Sequence, residues 1–191
     1  YNLLAIYTTA VVLGTEPSSA LLALSTLEAA PGRLENLRGP RDISAIIDYA
    51  HTPDALENVL KTLKAIAPSR ELCCLFGCGG DRDRSKRPEM GAIAAKYADR
   101  IVLTSDNSRS ENSADIIAEI KAGMDSEALG KCICIEDRKE AIRMALMTAR
   151  DGSTVLLAGK GHENYQIIGN EKKHFDEKEI VLETFKWMDR N

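Results

Sequence analysis

Apolar positions recur along this chain in two rhythms. Runs of five to seven residues, nearly continuous in Ile, Val, Leu, Ala and Cys, appear as SAIIDYA (44–50), ELCCLF (71–76), RIVLT (100–104), KCICI (131–135) and STVLLAG (153–159). Such runs fit strands buried on both faces. Between them the spacing turns helical. In TPDALENVLKTLKAIA (52–67), Leu56, Val59, Leu60 and Leu63 share one face, with Pro53 at the first helical position after Thr52. RPEMGAIAAKYA (87–98), SADIIAEIKAGM (113–124) and RKEAIRMALMTAR (138–150) predict three more helices. YQIIGNEKKHF (165–175) predicts a small hairpin turning at Gly169-Asn170, and DEKEIVLETFKWM (176–188) a closing helix with Asp176 as N-cap. Strands alternating with helices of this length imply βαβ units, so the expected fold class is α/β, Rossmann-like, a mainly parallel sheet with flanking helices.

The front of the chain reads differently. NLLAIYTTAVVLG (2–14) predicts a helix stopped by Gly14, and SSALLALSTLEAA (18–30) a second. PGRLENLRGPRD (31–42) is turn-rich, with two Pro and two Gly, and marks a domain boundary between residues 1–30 and 31–191. The opening has neither a basic n-region nor a small-residue cleavage site, so it is not read as a secretory signal, and the missing initiator Met suggests a piece of a longer protein.

Composition narrows the function classes. A net charge of −4 argues against general nucleic-acid affinity, and no apolar run approaches the ~20 residues that span a membrane. The five cysteines contain no CxxC pair, which fits small buried side chains in a reducing cytoplasm and no metal site.

Parallel sheets bind ligands at the carboxyl ends of their strands. Four strand-end segments there are rich in chemistry. GCGGDRDRSKR (77–87) sets Gly77, Gly79 and Gly80 beside Arg82, Arg84, Lys86 and Arg87, a composition able to cradle an anion, yet it is neither GxGxxG nor a P-loop. DYAHTPD (48–54) brings Asp48, Tyr49 and His51 to a helix start, and GKGHENYQ (159–166) brings Lys160, His162 and Glu163 to a turn. SDNSRSE (105–111) offers a carboxylate, an amide and a guanidinium in Asp106, Asn107 and Arg109, a set suited to the zwitterionic centre of an amino acid. The fifth segment, EDRKE (136–140), reads as a plain helix start. Taken singly, each loop is also compatible with a solvated turn or a cap.

Taken together, DYAHTPDALENVL, FGCGGDRDRSKRPEMGAIA, TSDNSRSE and GKGHENYQ resemble the C-terminal domain of the Mur ligases, most nearly the branch that adds the third residue of the peptidoglycan stem peptide. The resemblance runs from about residue 31 to the end, and the first 30 residues look like the last helices of that family's central ATP-binding domain. It implies an ATP-dependent amide ligase: ATP phosphorylates a carboxylate of UDP-MurNAc-L-Ala-D-Glu, and an amino acid attacks the acyl phosphate. ATP and Mg2+ would be held mostly by the central domain, whose P-loop is absent here, so this piece alone is expected to be inactive.

The family's nucleotide-facing positions match Arg33, Asp48 and His51. In members that use meso-diaminopimelate, a DNPR motif, an Arg in GDRD, and the Gly and Glu of GKGHE read the amino acid. They match Asp106, Asn107, Arg109, Arg82, Gly159 and Glu163, with Ser108 in place of the Pro. The loss of a φ-locked residue leaves that loop's rigidity to other contacts. The expected partner is therefore meso-diaminopimelate. A lysine-adding member, a folylpolyglutamate synthetase-like ligase and a non-catalytic nucleotide- or anion-binding module are the alternatives.

Overall fold

A computed structural model describes residues 2–27 and 30–190, in two compact units, 1–30 and 31–191. The first unit is a helical pair, α1 (Asn2–Val12) and α2 (Pro17–Ser25). Gly14, at φ +95°, closes α1: its N–H reaches the Val11 carbonyl, and the next N–H, of Thr15, reaches Ala10.

The second unit is a six-stranded sheet in the order β1-β2-β6-β3-β4-β5, made of β1 (Glu35–Arg38), β2 (Ser44–Asp48), β3 (Leu72–Phe76), β4 (Arg100–Leu103), β5 (Cys132–Cys134) and β6 (Thr154–Ala158). All neighbours run parallel except β1, which pairs antiparallel with β2. Helices α3 (Pro53–Ile66), α4 (Lys86–Tyr97), α5 (Ser113–Lys121), α6 (Ser126–Gly130), α7 (Arg138–Met147) and α8 (Glu177–Met188) complete it, with a separate hairpin of β7 (Tyr165–Ile168) and β8 (Glu171–His174).

Successive strand residues point to opposite faces, so each buried run feeds two cores. Ile46, Cys74, Phe76, Ile101, Leu103 and Leu156 meet Leu56 and Leu60 of α3, Met90 of α4 and Ile120 of α5. Ala45, Ile47, Cys73, Leu75, Val102 and Leu157 meet Ile142 and Leu146 of α7 and Val181 and Phe185 of α8. Burying Cys73, Cys74 and Cys78 pushes their thiols well above the usual range, as the small-hydrophobe reading expects, whereas Cys132 is half-buried and Cys134 exposed.

Two elements depart from the sequence reading. Residues 35–38, placed in a turn-rich boundary, form edge strand β1; the short polar run ENLR alternates between exposed and half-buried and so carries no apolar signal. Short helix α6 was also not anticipated. Thr52, Asp176 and Asp137 cap α3, α8 and α7.

The return of the chain from β5 to β6, between β2 and β3, places a topological switch at the centre of the sheet. The loops after β3 and β6 diverge there and leave a crevice at the strand ends. One wall of it is braced by Arg87 in the first turn of α4. Its guanidinium is fully buried and donates to Glu111 (2.8 and 2.9 Å), Glu119 of α5 (2.7 Å) and the Gly79 carbonyl (3.3 Å). Arg84 also pairs with Glu119. Against the expectation of an anion cradle, both arginines are neutralised by glutamates, Arg87 inside the wall and Arg84 on its exposed side.

Two predictions follow from this architecture. The Asp176 carboxylate accepts from the Lys178 and Glu179 amides at 2.8 and 3.2 Å, so Asp176→Ala should cost about 1 kcal/mol in urea unfolding. Bonds from Arg87 hold the Glu111 carboxyl down from 4.5 to about 2. A depressed folded value gives stability that is present above the unfolded value and lost as pH falls towards 2. The urea midpoint should therefore fall between pH 5 and pH 3 more steeply in the wild type than in Glu111→Gln; equal slopes would assign the loss to other carboxylates.

Candidate functional site

The loops after β2, β3, β4 and β6 enclose a cleft of about 500 Å³. Its lining includes Asp106, Asn107, Arg109, Gly159, Glu163 and Arg82, together with Tyr49, His51 and Lys86. All six residues expected to read an amino acid thus share one cavity, and His51 joins them.

SDNSRSE enters the cleft as a rigid wall. Residues 104–108 are buried, and Ser105 and Thr104 donate to the Glu136 carbonyl beyond β5. Close approach to the Gly-rich loop fixes the other side: Gly80 donates to the Asn107 carbonyl at 2.9 Å, and a Cβ on Gly80 would stand 1.9 Å from the Ser108 carbonyl oxygen. The hairpin supplies what the missing Pro does not. Gln166 donates to Ser105 Oγ (2.9 Å) and the Asp106 carbonyl (3.0 Å), and the Arg109 backbone exchanges hydrogen bonds with Ile167 and Gly169. Those bonds hold Arg109 at φ +50°, outside the usual range for a side chain of its size.

Charge is concentrated at the centre. Lys160 is fully buried, with its Nζ 3.2 Å from Asn107 Oδ1, 3.4 Å from Glu163 Oε2 and 3.5 Å from Asp106 Oδ1. Asn107 Nδ2 donates to Glu163 Oε2 at 2.9 Å, and its Oδ1 also accepts from the Ile167 amide at 2.9 Å. Asn107 therefore aims Glu163 and joins the walls, with one N–H left for a ligand. Gly159, at φ +115°, passes close beside Asp106, where a Cβ would stand 3.1 Å from Oδ2. Arg109 donates to the Gly80 carbonyl (2.8 Å) and Arg82 to the Asp81 carbonyl (3.0 Å); neither has a carboxylate within salt-bridge distance among the described residues. The cleft presents two free guanidiniums beside a carboxylate pair whose charge Lys160 partly balances. Such a set can take a carboxylate and an ammonium at once.

Of the nucleotide-facing expectations, His51 lines the cleft, whereas Arg33 and Asp48 do not. Exposed Arg33 lies over the Tyr49 ring at 4.9 Å, and Tyr49 stands against His51 and His162 at 4.6 and 5.2 Å between centroids. His51 Nδ1 donates to the Tyr49 carbonyl at 2.8 Å. Asp48 is buried below them and is not part of the cleft lining; its carboxylate accepts from the Leu34 and Ala50 amides, both at 2.9 Å, and so holds the loop that carries Arg33.

Arg138 was missed, because EDRKE reads as a plain helix start. Its buried guanidinium donates to Glu177 Oε1 (2.8 Å), the Ser105 carbonyl (3.2 Å) and the Ala158 carbonyl (2.9 Å), tying together the strand ends that precede Asp106 and Gly159. Burial raises the Glu177 carboxyl, against the pull of Arg138. A signal existed: Arg138 falls in helical register with Ala141, Ile142, Ala145 and Leu146, on the buried face of α7.

The chain is similar to known proteins over most of its length. The family described as "Mur ligase, glutamate ligase domain" matches residues 32–161. UDP-N-acetylmuramoyl-L-alanyl-D-glutamate--2,6-diaminopimelate ligases are similar over 96% of this chain: that of Bacteroides thetaiotaomicron is 49% identical and that of Syntrophomonas wolfei 50%. The chain spans 38% and 37% of their respective lengths. A solved structure carrying the same name superposes with a TM-score of 0.79 at 41% identity, covering 100% of this chain and 38% of the other. UDP-N-acetylmuramate-alanine ligase from Thermotoga maritima, at 20% identity, shares the fold with a TM-score of 0.70 over 99% of this chain and 37% of its own. With four family motifs gathered at one cleft and a family match over most of its length, this chain belongs to the Mur ligase family.

Proposed function

We propose that residues 31–191 are the amino-acid-docking domain of an ATP-dependent ligase that joins meso-diaminopimelate to UDP-MurNAc-L-Ala-D-Glu, with residues 1–30 as the last helices of its central domain. The observation that carries this reading is the pairing, in one cleft, of unneutralised Arg109 and Arg82 with the Asp106–Glu163 carboxylates. Lysine and diaminopimelate both carry a distal ammonium, but only diaminopimelate adds a second carboxylate there. Arg109 and Arg82 take that carboxylate, Asp106 and Glu163 take the ammonium, and Gly159 leaves room for the centre between them. The names of the similar ligases support the choice of amino acid.

ATP enters as a substrate, held with Mg2+ mainly by the central domain outside this chain. From this side Arg33 and His51 meet the nucleotide, and Asp48 sets the loop on which Arg33 stands. The chain's part in catalysis is positional: fixing the amine against the acyl phosphate makes the attack effectively unimolecular. The folylpolyglutamate synthases among similar structures are at most 20% identical, and support the fold alone.

The test uses the full-length enzyme with diaminopimelate and with lysine. Wild type should form the tripeptide with diaminopimelate and only weakly with lysine. Arg109→Ala should lose about 10²-fold in kcat/KM for diaminopimelate, with little change for lysine, as expected when a charged contact worth about 2–4 kcal/mol is removed. An equal fall for both would make Arg109 a loop support, and a wild-type preference for lysine would overturn the choice of amino acid. Arg33→Ala should raise the KM for ATP and lower turnover, with UDP-substrate affinity nearly unchanged; an unaltered ATP dependence would remove Arg33 from the nucleotide site.

A further inference from the structure

The cations of GCGGDRDRSKR divide into two groups. Arg84 and Arg87 are neutralised by Glu119 and Glu111, but Lys86 is not: among the described residues no carboxylate lies within salt-bridge distance of its Nζ. It lines the cleft, half-buried at the start of α4, and its ammonium donates to the His51 carbonyl at 2.8 Å. The nearby Asp83 carboxylate is engaged by the amide and hydroxyl of Ser85 at 2.9 and 2.7 Å. Among the described residues two ammonium protons of Lys86 are thus left without a hydrogen-bond acceptor, beside the His51 loop, with the Asp83 charge nearby but not in salt-bridge contact.

That location is a junction. Arg82, Arg109, Asp106 and Glu163 hold one end of the amino acid, while the loop of His51 faces the nucleotide. The reacting amine and the acyl phosphate must meet between them. Planar guanidiniums suit carboxylates, whereas a lysine ammonium suits phosphate as a point charge. We propose that Lys86 binds the phosphoryl oxygens of the acyl phosphate and of the departing phosphate, an assignment that rests on the ligase reading above. In the step it serves, the amine nitrogen bonds the acyl carbon and the acyl C–O bond to phosphate breaks. The departing oxygen takes the electron pair and one of the two protons released by the substrate ammonium; the other passes to water. Lys86 offsets the charge that gathers on the phosphate and itself keeps its protons.

The test compares Lys86→Gln, which keeps a donor for the His51 carbonyl but no charge, with Lys86→Arg, which keeps the charge. In the full-length enzyme Lys86→Gln should lower kcat on the order of 10²-fold, the scale of losing one oxyanion donor. The KM for diaminopimelate should stay within about threefold, as for an interaction made after that substrate binds. Product inhibition by inorganic phosphate should weaken, and Lys86→Arg should recover part of kcat. Wild-type turnover in Lys86→Gln would reduce Lys86 to a tether for His51. A raised KM for diaminopimelate at unchanged kcat would make it a reader of the amino acid's carboxylate. Both results overturn the proposal.

A second measurement is independent of ligation. Titrating inorganic phosphate into residues 1–191 should shift the amide NMR signals of His51 and Lys86 saturably, and Lys86→Gln should abolish the shift. Equal binding by both proteins sinks the Lys86 assignment and leaves the ligase reading intact. Lys86-dependent binding in an enzyme that ligates neither amino acid sinks the ligase reading instead.

Discussion

The cleft is organised around one buried ammonium. An unpaired charge in the position of Lys160 would cost several kcal/mol, so the fold is viable only if partners arrive with it. They come from two strand-end loops: Asp106 and Asn107 after β4, and Glu163 after β6. The Tyr165 and Phe175 rings stand 5.7 and 5.8 Å from the same nitrogen, which brings the hairpin into the arrangement. Without Lys160, two carboxylates would face each other across a narrow gap. Beneath them Arg138 secures the same two loops by their carbonyls. One cation thus sets the side chains of the site and another its backbone.

This arrangement explains why the free charges are where they are. Arg87, which braces the wall, is buried and neutralised, and its partner Glu111 is held ionised to unusually low pH. Among the described residues the hydrogen bonds of Arg82, Lys86 and Arg109 run to backbone carbonyls, and none of the three forms a salt bridge, so much of their attraction for anions stays available to a ligand. Rigidity and binding are assigned to different members of a single basic segment.

The sequence was most legible where burial is complete. The parallel strands announce themselves because both faces are apolar, and the hairpin because Gly169 and Asn170 break two short runs. Strand β1 is silent because Glu35–Arg38 has one half-exposed face and no apolar run. At the site, the loops and the identities of Asp106, Arg109, Arg82 and Glu163 could be read from composition and motif. The roles of Arg138, Lys160 and Arg87 could not, because they depend on partners distant in the chain, such as Glu177 for Arg138. Asn107 and Asp48 show the converse. Their side chains look available for a ligand, but folding commits most of their hydrogen-bonding capacity to backbone amides and to neighbouring side chains.

One wall of the cleft comes from consecutive residues, Gly159 through Phe175, which follow the last sheet strand and precede α8. The hairpin within that segment is bonded to the loop after β4 through the backbone of Arg109. The segment therefore couples the two loops that build the site. A shift in its register would move the Arg109 backbone that it bonds. Because the same segment carries Lys160 and Glu163, its register sets both the buried charge of the cleft and the position of Arg109, so a slip of this short ribbon would alter the cleft from two sides at once.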